Sequence, residues 1–205
     1  QGYLCPESTG LTSGASMAEA ILAAPSGYPM ADSLSRFGEL KAACIPKDLT
    51  GRTVLDIGGY DGRFAKLCLD RGAKSALCLD NQEWASYGKG QWPVPQQFEG
   101  VEYRKGDFLE LTKQFDLVLC FNVLYHCERW LEAPIALRRL SQGEVCISTY
   151  WAEGQQGWKE YTEMGTGFIR ATPTIPGLLW GLAEAGFKQF PFSQAKDEMI
   201  VLRCR

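Results

Sequence analysis

A glycine-rich stretch directly after a short apolar run is the first feature of this sequence that could bind a ligand. It reads DIGGYDG over residues 56–62, and the run TVLDI over residues 53–57 leads into it. Such a run is typical of a buried parallel strand. Glycines at a strand-to-helix turn let the backbone pass close to a ligand, and the helix that follows presents free N–H groups. Nicotinamide, flavin and methyl-donor enzymes all use a loop of this kind, so the loop alone does not decide between them.

Two familiar nucleotide-binding loops are excluded by particular residues. A dinucleotide fingerprint that begins at Gly58 needs glycines at positions 60 and 63, which hold Tyr60 and Arg63. A Walker loop for phosphate ends in Gly-Lys-Ser/Thr, and this stretch does not. The strand before the loop instead carries an acid, Asp56, just ahead of the glycines.

Two further acids follow the next two predicted strands. Asp80 closes the predicted strand 75–80, where a carboxylate can accept both hydroxyls of a ribose. Asp107 follows the predicted strand 101–104 and is placed to accept from an exocyclic amine, while Phe108 packs on a purine. A single acid at a strand end often faces solvent or caps a helix. Three acids at the ends of three consecutive strands predict a nucleoside-type ligand at this edge of the sheet.

An alternation of strands and helices from residue 51 onward positions these residues. Strands are predicted at 53–57, 75–80, 101–104, 115–121 and 144–149, with helices after the first and fourth strands and at 176–185. Such alternation predicts right-handed βαβ units and a mostly parallel sheet with helices on both faces. The runs 187–192 and 199–202, separated by a polar turn, predict a terminal antiparallel hairpin.

The pattern divides the chain into two parts. Residues 1–50 are expected to form an N-terminal helical extension or lid, with helices at 16–24 and 32–44. Residues 51–205 are expected to form one α/β domain, with a short helix at 83–87 in its longest early connection. No internal repeat is evident.

Composition narrows the class of protein. The 205 residues contain no run of about 18 apolar residues, so we expect no membrane span. Four of the eight cysteines lie in predicted core strands and none forms a CxxC pair, which predicts reduced thiols in a cytoplasmic protein and no metal site. The net charge of −3 and the pI of about 5.3 argue against a dedicated nucleic-acid binder, which usually carries a basic surplus.

Four successive motifs resemble those of class I S-adenosylmethionine-dependent methyltransferases. They are VLDIGGYDGRF, LCLDNQ, KGDF and FDLVLCFNVLYH, and the resemblance extends over roughly residues 51–205. It implies a three-layer, Rossmann-like, seven-stranded sheet, mostly parallel with an antiparallel last strand. It also implies an enzyme that binds S-adenosylmethionine and releases S-adenosylhomocysteine.

The resemblance implies that ten residues bind the methyl donor. They are Asp56, Gly58, Gly59, Tyr60, Gly62, Asp80, Asn81, Asp107, Phe108 and Asn122. The first five would bind the methionine part, the next two the ribose and the following two the adenine. The last would line the floor near the methyl group.

The Val-Leu-Tyr-His ending of the fourth predicted strand is similar to that of the tRNA wobble-uridine carboxymethyltransferases. Tyr60 points to the same narrower branch, because the commonest form of the loop has glycine there. In that branch the Tyr and His lie at the reaction centre, which makes Tyr125 and His126 candidates for catalysis. His126, the one histidine of the sequence, would suit a general base near neutral pH. A packing role is the alternative for both side chains.

The acceptor is less determined than the donor. The connection 150–170 contains aromatic residues that would suit a lid or wall over a flat or apolar acceptor, namely Trp151, Trp158, Tyr161 and Phe168. We expect a small molecule methylated at O, N or C. A tRNA wobble base that receives a methyl or carboxymethyl group is the first alternative, and a non-catalytic subunit that assists a partner is the second. A carboxylated donor would need a cationic group near its transferable carbon. The sequence leaves the oligomeric state open.

Overall fold

The computed structural model of the protein describes residues 31–81, 97–127, 129–154, 157–162, 169–196 and 199–205. The chain divides between Glu39 and Leu40 into two units. The described part of the first unit is the beginning of one helix, and the second unit contains the sheet and the other helices. The helices predicted at 16–24 and 83–87 lie outside the described residues. The predicted division at residue 50 stays a prediction.

The helices and strands follow one another in this order along the chain: α1 Ala31–Cys44, β1 Thr53–Ile57, α2 Arg63–Asp70, β2 Ser75–Asp80, β3 Glu102–Lys105, β4 Phe115–Phe121, a 3₁₀ turn Leu124–His126, α3 Ala133–Leu140, β5 Ser141–Tyr150, β6 Trp158–Thr162, β7 Ile169–Pro173, α4 Ile175–Glu184, β8 Phe192–Lys196 and β9 Met199–Cys204.

Seven strands form one sheet in the order β3-β2-β1-β4-β5-β9-β8. The first five are parallel to one another, and β9 runs antiparallel to both of its neighbours. The predicted Rossmann-like, mostly parallel sheet with an antiparallel last strand is confirmed. The chain leaves β1 towards β2 on one side and returns to β4 on the other, so a topological switch point lies between β1 and β4. Open α/β sheets bind ligands outside the carboxyl ends of their strands at such a point.

The sheet is buried on both faces. Alternate strand residues such as Leu55, Ile57 and Val118 form the main core together with α3 and α4. The intervening residues of β1, Val54 and Asp56, face the other side and are buried as well. A buried carboxylate is costly unless hydrogen bonds compensate for lost hydration. Asp56 is therefore not explained by packing alone.

The cysteines contribute to this core. The structure describes seven of them, all free, and six of these are buried. They include the four that were predicted to lie in core strands. In the described part of the chain no helix is long and apolar enough to cross a membrane.

Two strands that the sequence did not indicate lie between β5 and α4: one within the connection predicted over residues 150–170, and one that begins at its end. Strands β6 and β7 pair antiparallel, from Trp158 opposite Pro173 to Thr162 opposite Ile169, and form a second sheet of their own. The strand WKEYT lacks a continuous apolar run. Pairing with β7 therefore decides its conformation more than its own sequence does.

The first strand of the terminal hairpin begins later than predicted. The predicted strand 187–192 is wrong, because β8 begins at Phe192. Phe187 is instead a core residue just after α4, and its N–H donates to the Leu182 carbonyl. The N–H groups of Lys188 and Gln189 donate to the carbonyl of Arg205, so this segment already has its partners at the chain end.

Candidate functional site

The loop 56–62, called the glycine loop below, turns at the carboxyl end of β1 and leads into α2. Gly58 has a φ of 62°, and a Cβ on it would lie 2.6 Å from Cγ2 of Val123. A Cβ on Gly59 would lie 2.6 Å from Sγ of Cys78 and 2.7 Å from Oδ2 of Asp56. Contacts this short do not occur, so the packing around the loop requires glycine at both positions. At Gly58 and Gly59 the backbone is therefore not covered by a side chain of its own.

Tyr60 stands where the commonest form of the loop in the resembling family has glycine. Its φ is 51°, in the left-handed region that glycine favours. A non-glycine residue pays roughly 1–2 kcal/mol for this conformation. The loop therefore keeps a glycine-like backbone at this position despite the tyrosine. Local strain of this kind is common at ligand-binding turns.

The second half of the glycine loop is held by contacts that sequence reasoning missed. The Asp61 carboxylate accepts from Nε of Arg63 at 2.9 Å and from its Nη2 at 2.6 Å. The Asp61 carbonyl accepts from the hydroxyl of Tyr103 at 2.7 Å, and the same hydroxyl accepts from the N–H of Phe98 at 2.7 Å. A Cβ on Gly62 would lie 2.6 Å from that hydroxyl oxygen. Strand β3 thus supports the loop directly.

Asp56 lies beneath the glycine loop with 1% of its surface exposed. The N–H of Ala65, in the first turn of α2, donates to its Oδ2 at 3.2 Å. The pKa of Asp56 is raised to about 7, mainly by burial; the charges of Asp61 and Asp80 contribute to the rise, whereas the Ala65 hydrogen bond and the charge of Lys41 oppose it. This predicted site residue therefore ties the end of β1 to α2.

Lys41, on α1, is a buried cation near Asp56 that the sequence analysis did not single out. It is 1% exposed, and its Nζ lies 6.0 Å from the ring centroids of both Phe64 and Phe121. Burial lowers the pKa of Lys41 to about 8, while the charge of Asp56 opposes that shift. Helical spacing places it on the same face as the buried Cys44. A lysine on an apolar helix face was the signal that could have found it.

Asp80 lies beside the glycine loop at the end of β2. It is 6% exposed, and its charge is close enough to raise the pKa of Asp56. The N–H of Gly58 donates to the Leu79 carbonyl at 2.7 Å, which ties the loop to β2. Asn81 follows and is exposed. The structure therefore brings the first two predicted acids close together at the carboxyl edge of β1 and β2.

Asp107 and Phe108 follow β3 in a different setting. Asp107 is exposed, and its Oδ1 accepts from the N–H of Leu109 at 2.9 Å. Phe108 is 7% exposed and packs within the main core on the α3–α4 side. Most of its ring is thus occupied by the protein itself, and a stacking contact with a purine stays a prediction.

Asn122 follows β4 with a φ of 60°. Its N–H donates to the Ser148 carbonyl at 2.8 Å, and its Oδ1 accepts from the Ser148 hydroxyl at 3.0 Å. Ser148, on β5, is fully buried, whereas Asn122 is partly exposed. The Asn122 side chain, which is predicted to line the floor of the site, is therefore held by a hydrogen bond to the buried Ser148 of β5.

Tyr125 and His126 lie in the 3₁₀ turn beyond Asn122. The ring centroid of Tyr125 is 4.2 Å from that of His126 and 4.9 Å from that of Tyr150, at the end of β5. His126 is exposed and Tyr125 partly exposed. The two predicted catalytic side chains are thus next to each other at the carboxyl edge of the sheet.

The β6–β7 hairpin adds an aromatic surface beside this turn. Strand β7 packs against the 3₁₀ turn, and Trp158 of β6 stacks on Trp130, with centroids 5.1 Å apart and planes inclined by 27°. Sequence reasoning included Trp158 in a lid or wall but did not single out Trp130.

A family model described as a methyltransferase domain matches residues 26–188. A tRNA U34 carboxymethyltransferase of Methylococcus capsulatus is 31% identical over 169 residues, which cover 75% of this chain and 49% of that protein. The enzyme of the same name from Pseudomonas fluorescens is 27% identical over 158 residues, 68% of this chain and 46% of the relative. The chain therefore spans about half the length of these curated relatives.

Solved structures share the fold at lower identity. An S-adenosylmethionine-dependent methyltransferase of Mesorhizobium loti aligns with a TM-score of 0.64 and 17% identity, over 82% of this chain and 97% of that one. The 1,6-didemethyltoxoflavin-N1-methyltransferase of Burkholderia thailandensis, with bound S-adenosylhomocysteine, aligns with a TM-score of 0.59 and 20% identity, over 98% and 93% of the two chains.

Proposed function

Since the chain belongs to the methyltransferase-domain family, we propose that it transfers a methyl or carboxymethyl group from an S-adenosylmethionine-type donor to the wobble uridine of tRNA. The proposal starts from the class of the enzyme, which is a class I S-adenosylmethionine-dependent methyltransferase. The acceptor is the proposal. The observation that carries it is the 31% identity to a protein named tRNA U34 carboxymethyltransferase. The sequence predicts a small-molecule acceptor, whereas the relatives favour the alternative, a tRNA wobble base.

S-adenosylmethionine fits the residues at the switch point. The glycine loop presents bare backbone at Gly58 and Gly59, and the Asp80 carboxylate lies beside the loop at the end of the next strand. We assign the ten predicted residues to the donor in the order in which the sequence implied them. The bound donor supplies a carbon that its sulfonium already activates. The protein therefore has mainly to align the acceptor with that carbon and to exclude water.

In this proposal His126 accepts the proton that the acceptor loses, and Tyr125 orients the acceptor. The support is their position: the two side chains adjoin each other at the carboxyl edge of β4, and one of them is exposed. Histidine is the side chain whose ordinary pKa is nearest to neutrality, as a general base requires.

Transfer to a small molecule is the second candidate. The net charge of −3 favours it, because phosphate contacts supply most nucleic-acid affinity and need a basic surplus. The stacked pair Trp130 and Trp158 would suit a flat apolar ring.

A transfer assay distinguishes the two candidates. The full chain is incubated with isotope-labelled S-adenosylmethionine, or with its carboxylated form, together with bulk tRNA or a small-metabolite extract. Label in the wobble nucleoside after digestion supports the tRNA proposal, and label confined to metabolites supports the second candidate. Asp80→Ala should abolish either signal. Asp70→Ala is the matched control, because Asp70 is an exposed acid at the far end of α2. No label in either fraction with the wild type contradicts both candidates.

A further inference from the structure

The backbone at Asn122 adopts a conformation that most residues avoid. Its φ of 60° lies in the left-handed region, which asparagine enters more readily than other non-glycine residues. Such residues persist where their surroundings hold them, and they cluster at ligand-binding positions. Here the holding contacts come from Ser148 of β5.

The Ser148 hydroxyl determines which way the Asn122 amide faces. Ser148 is fully buried, and a buried hydroxyl proton needs an acceptor. Within the described ranges of the chain, Oδ1 of Asn122 is the acceptor it has, at 3.0 Å. If the amide were reversed, Nδ2 would face the hydroxyl and the serine proton would be left without this partner. The buried serine therefore turns Oδ1 inward and Nδ2 outward.

The outward Nδ2 group is placed where the transfer is proposed to occur. On one side Val123 packs against Gly58 of the glycine loop, and on the other Tyr125 contacts Tyr150. Among the residues that the structure describes, Nδ2 has no acceptor. An amide NH₂ group can only donate hydrogen bonds, so the chemical partner it fits is an oxygen atom.

We infer that Ser148 fixes the Asn122 amide so that Nδ2 donates to an oxygen held beside the transferred carbon. The inference rests on the proposed function, which places that carbon at this edge of the sheet. The oxygen has two possible sources: a carboxylate on the transferred group of the donor, or a carbonyl of the acceptor. Ser148 is then a positioning residue, because it acts through Asn122.

Two variants test the inference. Asn122→Asp keeps the size of the side chain and the acceptor for Ser148 but replaces the NH₂ donor by an oxygen. Ser148→Ala leaves the amide free to turn. The matched control is Ser141→Ala, which removes another buried hydroxyl at the opposite end of β5, where Oγ donates to the Glu144 carbonyl at 3.2 Å. Melting temperatures show that each variant is folded.

Calorimetry with three ligands separates the two sources of the oxygen. The ligands are S-adenosylhomocysteine, S-adenosylmethionine and carboxylated S-adenosylmethionine. If the oxygen is on the donor, Asn122→Asp weakens binding of the carboxylated form by roughly tenfold or more, while S-adenosylhomocysteine affinity changes less than about twofold. If it is on the acceptor, Asn122→Asp changes the three affinities by the same factor, and KM for tRNA rises by roughly tenfold. Ser148→Ala should change the same affinities or the same KM in the same direction as Asn122→Asp, but by a smaller factor.

Failure of this inference is distinct from failure of the proposed function. A wild type that binds none of the three ligands contradicts the proposed function. A wild type that binds and transfers, with both variants behaving like Ser141→Ala throughout, overturns the role of the Asn122 amide alone. If the wild type transfers nothing to tRNA, the inference is judged by the three donor affinities alone. Donor affinities that are unchanged in both variants then overturn the inference.

Discussion

Replacing Tyr103 by phenylalanine should weaken donor binding without unfolding the protein. The substitution removes one hydroxyl that makes two hydrogen bonds of 2.7 Å, one to the Asp61 carbonyl in the glycine loop and one from the Phe98 N–H. A hydrogen bond contributes about 0.5–1.5 kcal/mol net, so the two together are worth roughly 1–3 kcal/mol. The share of this free energy that keeps the glycine loop ordered is lost from the free energy of ligand binding. We expect about 1–2 kcal/mol, or a roughly five- to thirtyfold rise in the Kd for S-adenosylhomocysteine.

Calorimetry with S-adenosylhomocysteine measures this change, and hydrogen exchange reports on the loop itself. The Gly62 N–H donates to the Gly59 carbonyl at 2.8 Å, and its exchange should become faster in Tyr103→Phe. Thr53→Val is the matched control, because it removes a 2.8 Å hydrogen bond to Asp116 at the opposite end of β1. The control should lower the melting temperature and leave the Kd unchanged. The reasoning is refuted if Tyr103→Phe loses stability as the control does but binds the ligand within about twofold of the wild type.

Three further variants test other parts of the account. Because burial raises the pKa of Asp56 to about 7, the folded chain keeps a proton that the unfolded chain releases above about pH 4, and the unfolding free energy should fall as pH rises through this window. In urea denaturation, the unfolding free energy of Asp56→Asn should therefore rise relative to that of the wild type by roughly 2–3 kcal/mol between pH 5 and pH 8; an equal difference at both pH values contradicts this. His126→Ala should slow turnover by roughly 100-fold while the donor Kd stays within about twofold, and unchanged turnover would make the imidazole structural. Gly59→Ala places a Cβ 2.6 Å from Sγ of Cys78, so thermal unfolding should show a loss of about 1–3 kcal/mol; an unaltered melting temperature would mean that the loop can shift.

Strands β1, β2 and β4 were predictable because each is a largely apolar run between turn residues. The predicted bounds of β1, β2 and β4 coincide with the observed ones. Strands β6 and β7 were not predictable in the same way, because neither carries such a run and they pair with each other outside the main sheet. The start of β8 was predicted too early because Phe187 is apolar. An apolar residue after a helix can fill the core without belonging to a strand.

The site was predictable where acidic residues recur at the ends of consecutive strands. Asp56 and Asp80 are adjacent because consecutive parallel strands end at one edge. The supporting contacts were not predictable, since they join residues far apart in the chain: Tyr103 lies 42 positions from Asp61, and Ser148 lies 26 from Asn122. No local pattern marks such pairs.

Binding of S-adenosylhomocysteine to the wild-type chain and to Asp80→Ala tests the central claim most directly. Asp80 lies buried at the end of β2 beside the glycine loop, where its carboxylate is assigned to the ribose hydroxyls. Calorimetry should show one ligand bound per wild-type chain, an unchanged Kd for the control Asp70→Ala, and a Kd at least roughly tenfold higher for Asp80→Ala. A wild-type chain that binds neither S-adenosylhomocysteine nor S-adenosylmethionine would contradict the account.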